Sequence, residues 1–302
     1  MKLRRAGRLS VPRTAVALIG AVLTTVGVAA TAAAESVLSR IAEDGLLRAG
    51  TRASAAPFAQ RMPTGEFRGF SVDLLQEIRA AVQREVGRPV RIELHEVTPS
   101  DRLQRVARGE LDIVCGITTP TWDREATVDF SLPFFRDGTR VMVYRRGAGE
   151  TVDVAKLNIG VVKGTTTVDV LKDSLPGTRL SEFPNMAAAM SGFEKGEVDG
   201  VANVGVVLLG LAERSEPRRS VVLLPRTRAL ATESLACVLP QNDSRWRDLV
   251  NRTLVGMFGN VQQFRGRYEE VYNRWFGRDG ALFYPLDRAT RDYLADVSIW
   301  AK

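Results

Sequence analysis

Beyond residue 34 the sequence predicts an α/β protein of two related, open α/β lobes joined by a two-strand hinge. Three observations carry this reading. The order β-α-β-α-β can be traced twice along the chain. Two helix-to-strand junctions resemble each other, RGELDIV at 108–114 and KGEVDGV at 195–201. Two extended apolar segments, RVMVYR at 140–145 and ESLACVL at 233–239, flank the second repeat, so the chain enters a second lobe and later returns.

The first repeat opens with a short strand at 47–52. Phe70-Ser71 begins a helix whose Leu74, Leu75, Ile78, Ala81 and Val82 follow the 3.6-residue period, and Gly87 and Pro89 stop it. Val90, Ile92 and Leu94 alternate as a strand. Ser100 or Asp101 caps a second helix with Leu103, Val106 and Ala107 facing inward and Gly109 at its end, and residues 111–115 form the next strand. The second repeat has a strand at 157–162, a helix opened by residues 164–167 and running through Leu171, and a brief strand at Arg179-Leu180. Asn185 then caps a helix with Met186, Ala189, Met190 and Phe193 inward, ended by Gly196, and 198–202 is a strand. After the return, 243–257 and 261–275 read as amphipathic helices. Residues 277–280 and Pro285 interrupt the chain, and 287–297 forms a last helix. The implied organisation is a leader at 1–34, a first lobe from 35–142 and 236–302, and a second lobe at 143–235.

The 302 residues, 45% hydrophobic and 25% charged, have an ordinary globular composition. The leader differs. Lys2, Arg4, Arg5, Arg8 and Arg13 precede an uncharged apolar run at 15–30, and Ala32-Ala33-Ala34 supplies small residues for cleavage after Ala34. This is the pattern of a secretory signal peptide, and its apolar run falls short of the roughly 20 residues a membrane span needs. No cysteine lies near the cleavage position to carry a lipid. The leader holds five of the 42 Lys and Arg and none of the 35 Asp and Glu, so the remaining chain nets only +2. With no basic tail or basic-aromatic stripe, nucleic acid is not an expected partner. No His or Cys cluster has metal spacing. His95, the single histidine, sits in the alternating run 90–95 as an outward strand residue, which leaves no Ser–His or Cys–His catalytic pair unless His95 is itself the base. Cys115 and Cys237 both lie in apolar runs. In an oxidising compartment they form either one bridge or two buried thiols.

The richest stretch is CGITTPTWDREATVDFSLPFF at 115–135. A strand end opens onto Gly116, Thr118 and Thr119, with Arg124 five residues after Thr119. Backbone N–H groups, hydroxyls and a planar guanidinium fork suit a carboxylate. On the second repeat, Gly164, Thr165 and Thr166 follow a strand and begin a helix, where unpaired N–H groups attract an anion. Ligands of open α/β sheets sit at the carboxyl ends of strands, and two such faces across a hinge make a trap that closes on a small anion.

The stretches GTRASAAPF (50–58), GFSVDL (69–74), TPSDRLQRVARGELDIVCGITT (98–119), DREATVDFSLPFFRDGTR (123–140), KGTTTVDVL (163–171) and ACVLPQND (236–243) together resemble the family 3 extracellular solute-binding proteins. These are the receptors of amino-acid ABC importers, and the likeness is to the glutamate/aspartate-binding branch. The resemblance covers the chain from about Ser36 to Lys302. It implies a two-lobe type II periplasmic-binding-protein fold, a periplasmic monomer without cofactor, an inner-membrane ABC permease as partner, and a Cys115–Cys237 disulfide. It also implies site roles. Arg124 resembles the arginine that takes the ligand α-carboxylate, with Thr119 beside it. Arg52 and Arg102 resemble arginines directed at an acidic side chain. Phe58 resembles an apolar pocket wall, with ordinary core as the competing reading. Thr165 and Thr166 resemble second-lobe contacts, although helix capping explains them nearly as well. Asp73 reads as a helix-start residue.

Three positions depart from the pattern: Val204 where an acid usually holds the ligand ammonium, Met186 near a usual histidine, and Ile117 in place of a small polar residue. A desolvated ammonium without an anionic partner is costly, so either the ligand lacks the amine or Asn203, a carbonyl or water replaces the acid. The expectation is a receptor for a small carboxylate-bearing ligand, an acidic amino acid or a dicarboxylate, and no enzyme. The alternatives on the same fold are an exported sensor or partner-binding protein and a dehydratase. The latter needs an acid in the second lobe, and the run VANVGVVLLGL (201–211) has none.

Overall fold

A computed structural model describes residues 36–145, 152–213 and 220–301. The leader and its cleavage position lie outside the described residues. The first part of the chain is α1 (Val37–Asp44), β1 (Leu46–Thr51), the short strands β2 (Ser54–Ala55), β3 (Ala59–Arg61) and β4 (Phe67–Arg68), α2 (Phe70–Val86), β5 (Arg91–Glu96), α3 (Arg102–Ala107), β6 (Ile113–Val114), α4 (Trp122–Glu125), β7 (Asp129–Phe130) and β8 (Phe135–Tyr144). Next come β9 (Asn158–Val162), α5 (Thr166–Ser174), β10 (Arg179–Phe183), α6 (Met186–Lys195), β11 (Gly200–Val204), α7 (Gly205–Ala212) and β12 (Val221–Leu224). The chain returns through β13 (Thr232–Leu235) and β14 (Val238–Leu239) and ends on α8 (Ser244–Phe258), α9 (Arg267–Phe276) and α10 (Arg288–Val297).

Two lobes follow from two mixed sheets. The first has the order β5-β1-β6-β14-β7, and the second β10-β9-β11-β8-β12, with β13 also on β8. Within them β1 is parallel to β5 and β6, and β9 is parallel to β10 and β11. Parallel strands covered on both faces read as apolar runs, and all five residues of β11 are buried. The ten-residue β8 is the outward crossing. Its start, 135–138, pairs antiparallel with β13, the strand that leads back, while 139–144 belongs to the second sheet.

The first lobe is packed around an aromatic core. Phe70 meets Phe276 at 5.4 Å between ring centres, and Phe135 meets Phe58 at 4.8 Å. Tyr268, fully buried, donates its hydroxyl to the Phe134 carbonyl at 2.7 Å, and Trp246 donates Nε1–H to the Asp112 carbonyl at 2.9 Å. These bonds satisfy the polar tips that burial would otherwise strand. The carboxyl-terminal segment braces the hinge. Tyr284 donates to Asp137 at 3.2 Å, Tyr293 donates to Ser234 at 3.0 Å, and Arg136 lies 5.0 Å from the Tyr293 ring centre.

Helix ends follow local chemistry. The Asn185 side chain accepts from the Ala188 N–H at 2.9 Å, and Gly87 and Gly196 take left-handed C-cap geometry at φ 69° and 78°. Other expectations need correction. The helix expected over 261–275 is a 3-10 turn at Val261–Gln263 followed by α9, because Phe264 (φ 60°) and Gly266 (φ 111°) leave the helical region. Ala107 is exposed rather than inward, since six-residue α3 buries Val106 and Arg102 instead. The strand expected at 198–202 lies at Gly200–Val204, set by its register on β8. The strand expected at 111–115 pairs only at Ile113–Val114, whereas that at 179–180 extends to Phe183 along β9. Helix α7 shows no amphipathic period because its apolar residues are covered on most sides. Among the described residues no helix is long and apolar enough to cross a membrane.

Candidate functional site

The carboxyl ends of β1, β6, β9 and β11 converge on a narrow cavity between the lobes. Arg52, Arg102, Thr119 and Arg124 line it from the first lobe, Thr165, Thr166 and Asn203 from the second, and Glu233 from the hinge strand β13.

Each arginine is delivered by a different element. Arg52 follows β1, Arg102 is the first residue of α3, and Arg124 sits on the single turn α4, whose N–H is accepted by the Thr121 hydroxyl. Arg102 is only 2% exposed. Its Nε donates to the Thr118 hydroxyl at 2.9 Å, and its Nη1 has no partner among the described residues. Arg52, 8% exposed, makes no side-chain hydrogen bond or ion pair among the described residues. Burial pulls the Arg102 guanidinium down to about 9, and Arg124 and Arg52 push in the same direction. Burial likewise lowers Arg52 to about 10, against the attraction of Asp101 and Glu96. Arg124 is lowered by burial and partly restored by Glu233 and Asp169. Arg52 and Arg102 thus remain charged at neutral pH in a desolvated wall, where a charge without a counter-ion is expensive. An anion relieves that cost.

Arg124 also ties the lobes together. It donates Nη1 to the Thr119 carbonyl at 2.6 Å and Nη2 to the Gly164 carbonyl of the second lobe at 3.3 Å. Thr166 donates its hydroxyl to Glu233 at 2.6 Å, and Thr119 donates to the same carboxylate oxygen at 2.6 Å. Thr139, on β8, donates to the other oxygen. Thr165 is the residue before α5, yet its hydroxyl donates back to the Val162 carbonyl at 2.7 Å and makes no capping bond. Asn203 is occupied locally. Its Oδ1 accepts from the Val204 N–H at 2.8 Å and its amide reaches the Met186 sulfur at 3.3 Å.

Phe58 is the exception. It is fully buried, packs edge-on against Phe70, Phe135 and Phe276, and is absent from the cavity lining, so its place is the core. Ser54 and Ala55 hold the wall position instead. Glu233 was missed by the sequence reading. A signal existed: in the strand TESL, Glu233 and Leu235 are the two buried positions, and a carboxylate on the inward face of a strand needs a reason. The apolar departures Ile117, Met186 and Val204 all face the cavity. Cys115 and Cys237 form a disulfide that joins the end of β6 to the returning chain.

Residues 47–278 match the profile of the bacterial extracellular solute-binding proteins, family 3. The chain is similar to the glutamate/aspartate import solute-binding protein of Salmonella typhimurium, 26% identical over 81% of this chain and 80% of that one. It is also similar to the ABC transporter glutamine-binding protein GlnH of Bacillus subtilis, 23% identical over 82% and 87%. Among solved structures it resembles the ancestral amino acid-binding protein AncCDT-1, a precursor of cyclohexadienyl dehydratase, with a TM-score of 0.67 and 26% identity over 80% of this chain and 100% of that one. Matched fold, matched profile and an arginine-lined cleft at the strand ends lead to one assignment: the chain belongs to the family 3 bacterial extracellular solute-binding proteins.

Proposed function

We propose that the protein is the exported receptor of an amino-acid ABC importer and captures a small acidic ligand carrying two carboxylates. The observation behind the acidic preference is the set of three guanidiniums at one cavity, two of them buried without an ion-pair partner among the described residues. In this reading Arg124 and Thr119 take one carboxylate, Arg52 and Arg102 take the other, and Thr165, Thr166 and Asn203 close the second wall. The relatives' names support amino-acid import, and they span acidic and neutral ligands, so the charge of the cavity carries the choice. Residues 1–34 would direct export, and the closed form would dock on a membrane permease without chemistry of its own.

Calorimetry with glutamate, aspartate, glutamine and arginine tests the reading. An acidic ligand is expected to bind tightest and, at 100 times its Kd, to add about 2.7 kcal/mol to the unfolding free energy. Tighter binding of the neutral or cationic amino acid would end the acidic assignment.

A further inference from the structure

Gly210 is buried in the interior of α7, where a glycine weakens a helix relative to alanine, and its φ is not positive. The reason for a glycine there is space. A Cβ at 210 would stand 2.8 Å from the Ala56 carbonyl oxygen and 2.9 Å from Pro57 Cδ, whereas ordinary contact begins near 3.4 Å. Helix α7 belongs to the second lobe, and Ala56 and Pro57 to the first. Neither surface yields easily. The Pro57 carbonyl accepts from the Phe70 N–H at 3.0 Å and the Phe58 carbonyl from the Ser71 N–H at 2.9 Å, which ties this segment to the start of α2. The amino end of α7 is held at the hinge, where the Val206 N–H donates to Asp137 at 2.7 Å. Gly210 lies about 6 Å further along the helix. Val206 and Val207 share the apolar cluster of the first lobe, and Leu208 belongs to that of the second, so the lobes meet on α7. Beside this contact, Ala55 and Val207 line the cavity.

We infer that Gly210 sets how far the cleft closes: α7 comes to rest on Ala56-Pro57, and the bare backbone at 210 lets the second lobe approach until its polar groups reach the first. This rests on the reading of the cleft as a ligand trap. At this separation Arg124 reaches the Gly164 carbonyl at 3.3 Å. A side chain at 210 has rigid backbone and a proline ring in its way, so α7 backs off and the second lobe's wall moves with it. The Arg124 bond then passes out of hydrogen-bond range, and Thr165, Thr166 and Asn203 withdraw from whatever the first lobe holds.

The test compares the wild type with Gly210→Ala and Gly210→Val by calorimetry with L-glutamate, L-aspartate, L-glutamine and L-arginine, by small-angle scattering and by thermal unfolding. Whichever ligand binds the wild type tightest is expected to bind Gly210→Ala about tenfold more weakly and Gly210→Val up to about a hundredfold more weakly. The loss lies in faster dissociation, since the ligand enters an open cleft in every case. The ligand-bound variants have a larger radius of gyration than the ligand-bound wild type. Without ligand, Gly210→Ala melts no lower than the wild type, because the lobes part to relieve the contact and alanine favours the helix. Wild-type affinity in both variants overturns the inference. So does a weaker affinity accompanied by a lower melting temperature or by an unchanged bound radius of gyration. If Gly210→Val does not fold, Gly210→Ala decides. Tightest binding of L-glutamine or L-arginine overturns the acidic reading alone, and the inference is then judged with that ligand. If none of the four binds, the ligand reading falls and the scattering of the ligand-free chains decides: wider variants support the inference, and equal profiles overturn it.

Discussion

Arg102 shows how burial sets the pH range of a binding site. Burial pulls its guanidinium down to about 9, far below the unfolded value, so folding disfavours its charged form below that pH. That penalty fades as pH rises from about 9 toward the ordinary arginine value, whereas a bound carboxylate pulls the proton back on. Affinity for an acidic ligand is therefore expected to stay flat between about pH 6 and 8 and to fall above about pH 9, by up to about tenfold per unit. A calorimetric pH series checks this. Arg124→Ala removes the contact with the Gly164 carbonyl and, on the proposed reading, the fork that takes a ligand carboxylate, so ligand affinity is expected to drop by about a hundredfold or more, read by the same titration. Arg124 and Thr119 were legible because five residues of sequence hold them together. Glu233 was not, because its contact with Thr119 spans 114 residues and exists only once the returning strand lies beside β8.

At the scale of elements, α6 was readable to the residue, since Asn185 and Gly196 mark its ends with side-chain and backbone chemistry. The segment after α8 was misread because its apolar spacing continues through Phe264 and Gly266, whose left-handed backbone only the tertiary structure reveals. The short trio β2–β4 was equally invisible: two or three residues per strand carry no period. Phe58 sits between these cases. Its neighbours in sequence reach the cavity while its own ring is packed into the aromatic core. Phe58→Ala is accordingly expected to cost about 3–5 kcal/mol of stability, measured by urea unfolding, with ligand affinity nearly unchanged at a temperature where the variant is folded.

For the whole molecule, the two-lobe architecture was legible in the repeated β-α-β-α-β order and the two crossings, while the exact sharing of β8 between β13 and the second sheet had to be seen. The disulfide anchors the first sheet where the chain leaves and returns. Replacing both Cys115 and Cys237 by serine is expected to lower stability by about 2–5 kcal/mol, seen in denaturant titrations against the oxidised wild type. The position of the bond has another consequence. Its cysteines lie 122 residues apart and enclose the whole of the inserted lobe. A protease that nicks the backbone once anywhere inside that ring produces no separate fragments: the pieces migrate as one species on a non-reducing gel and part only when thiol is added.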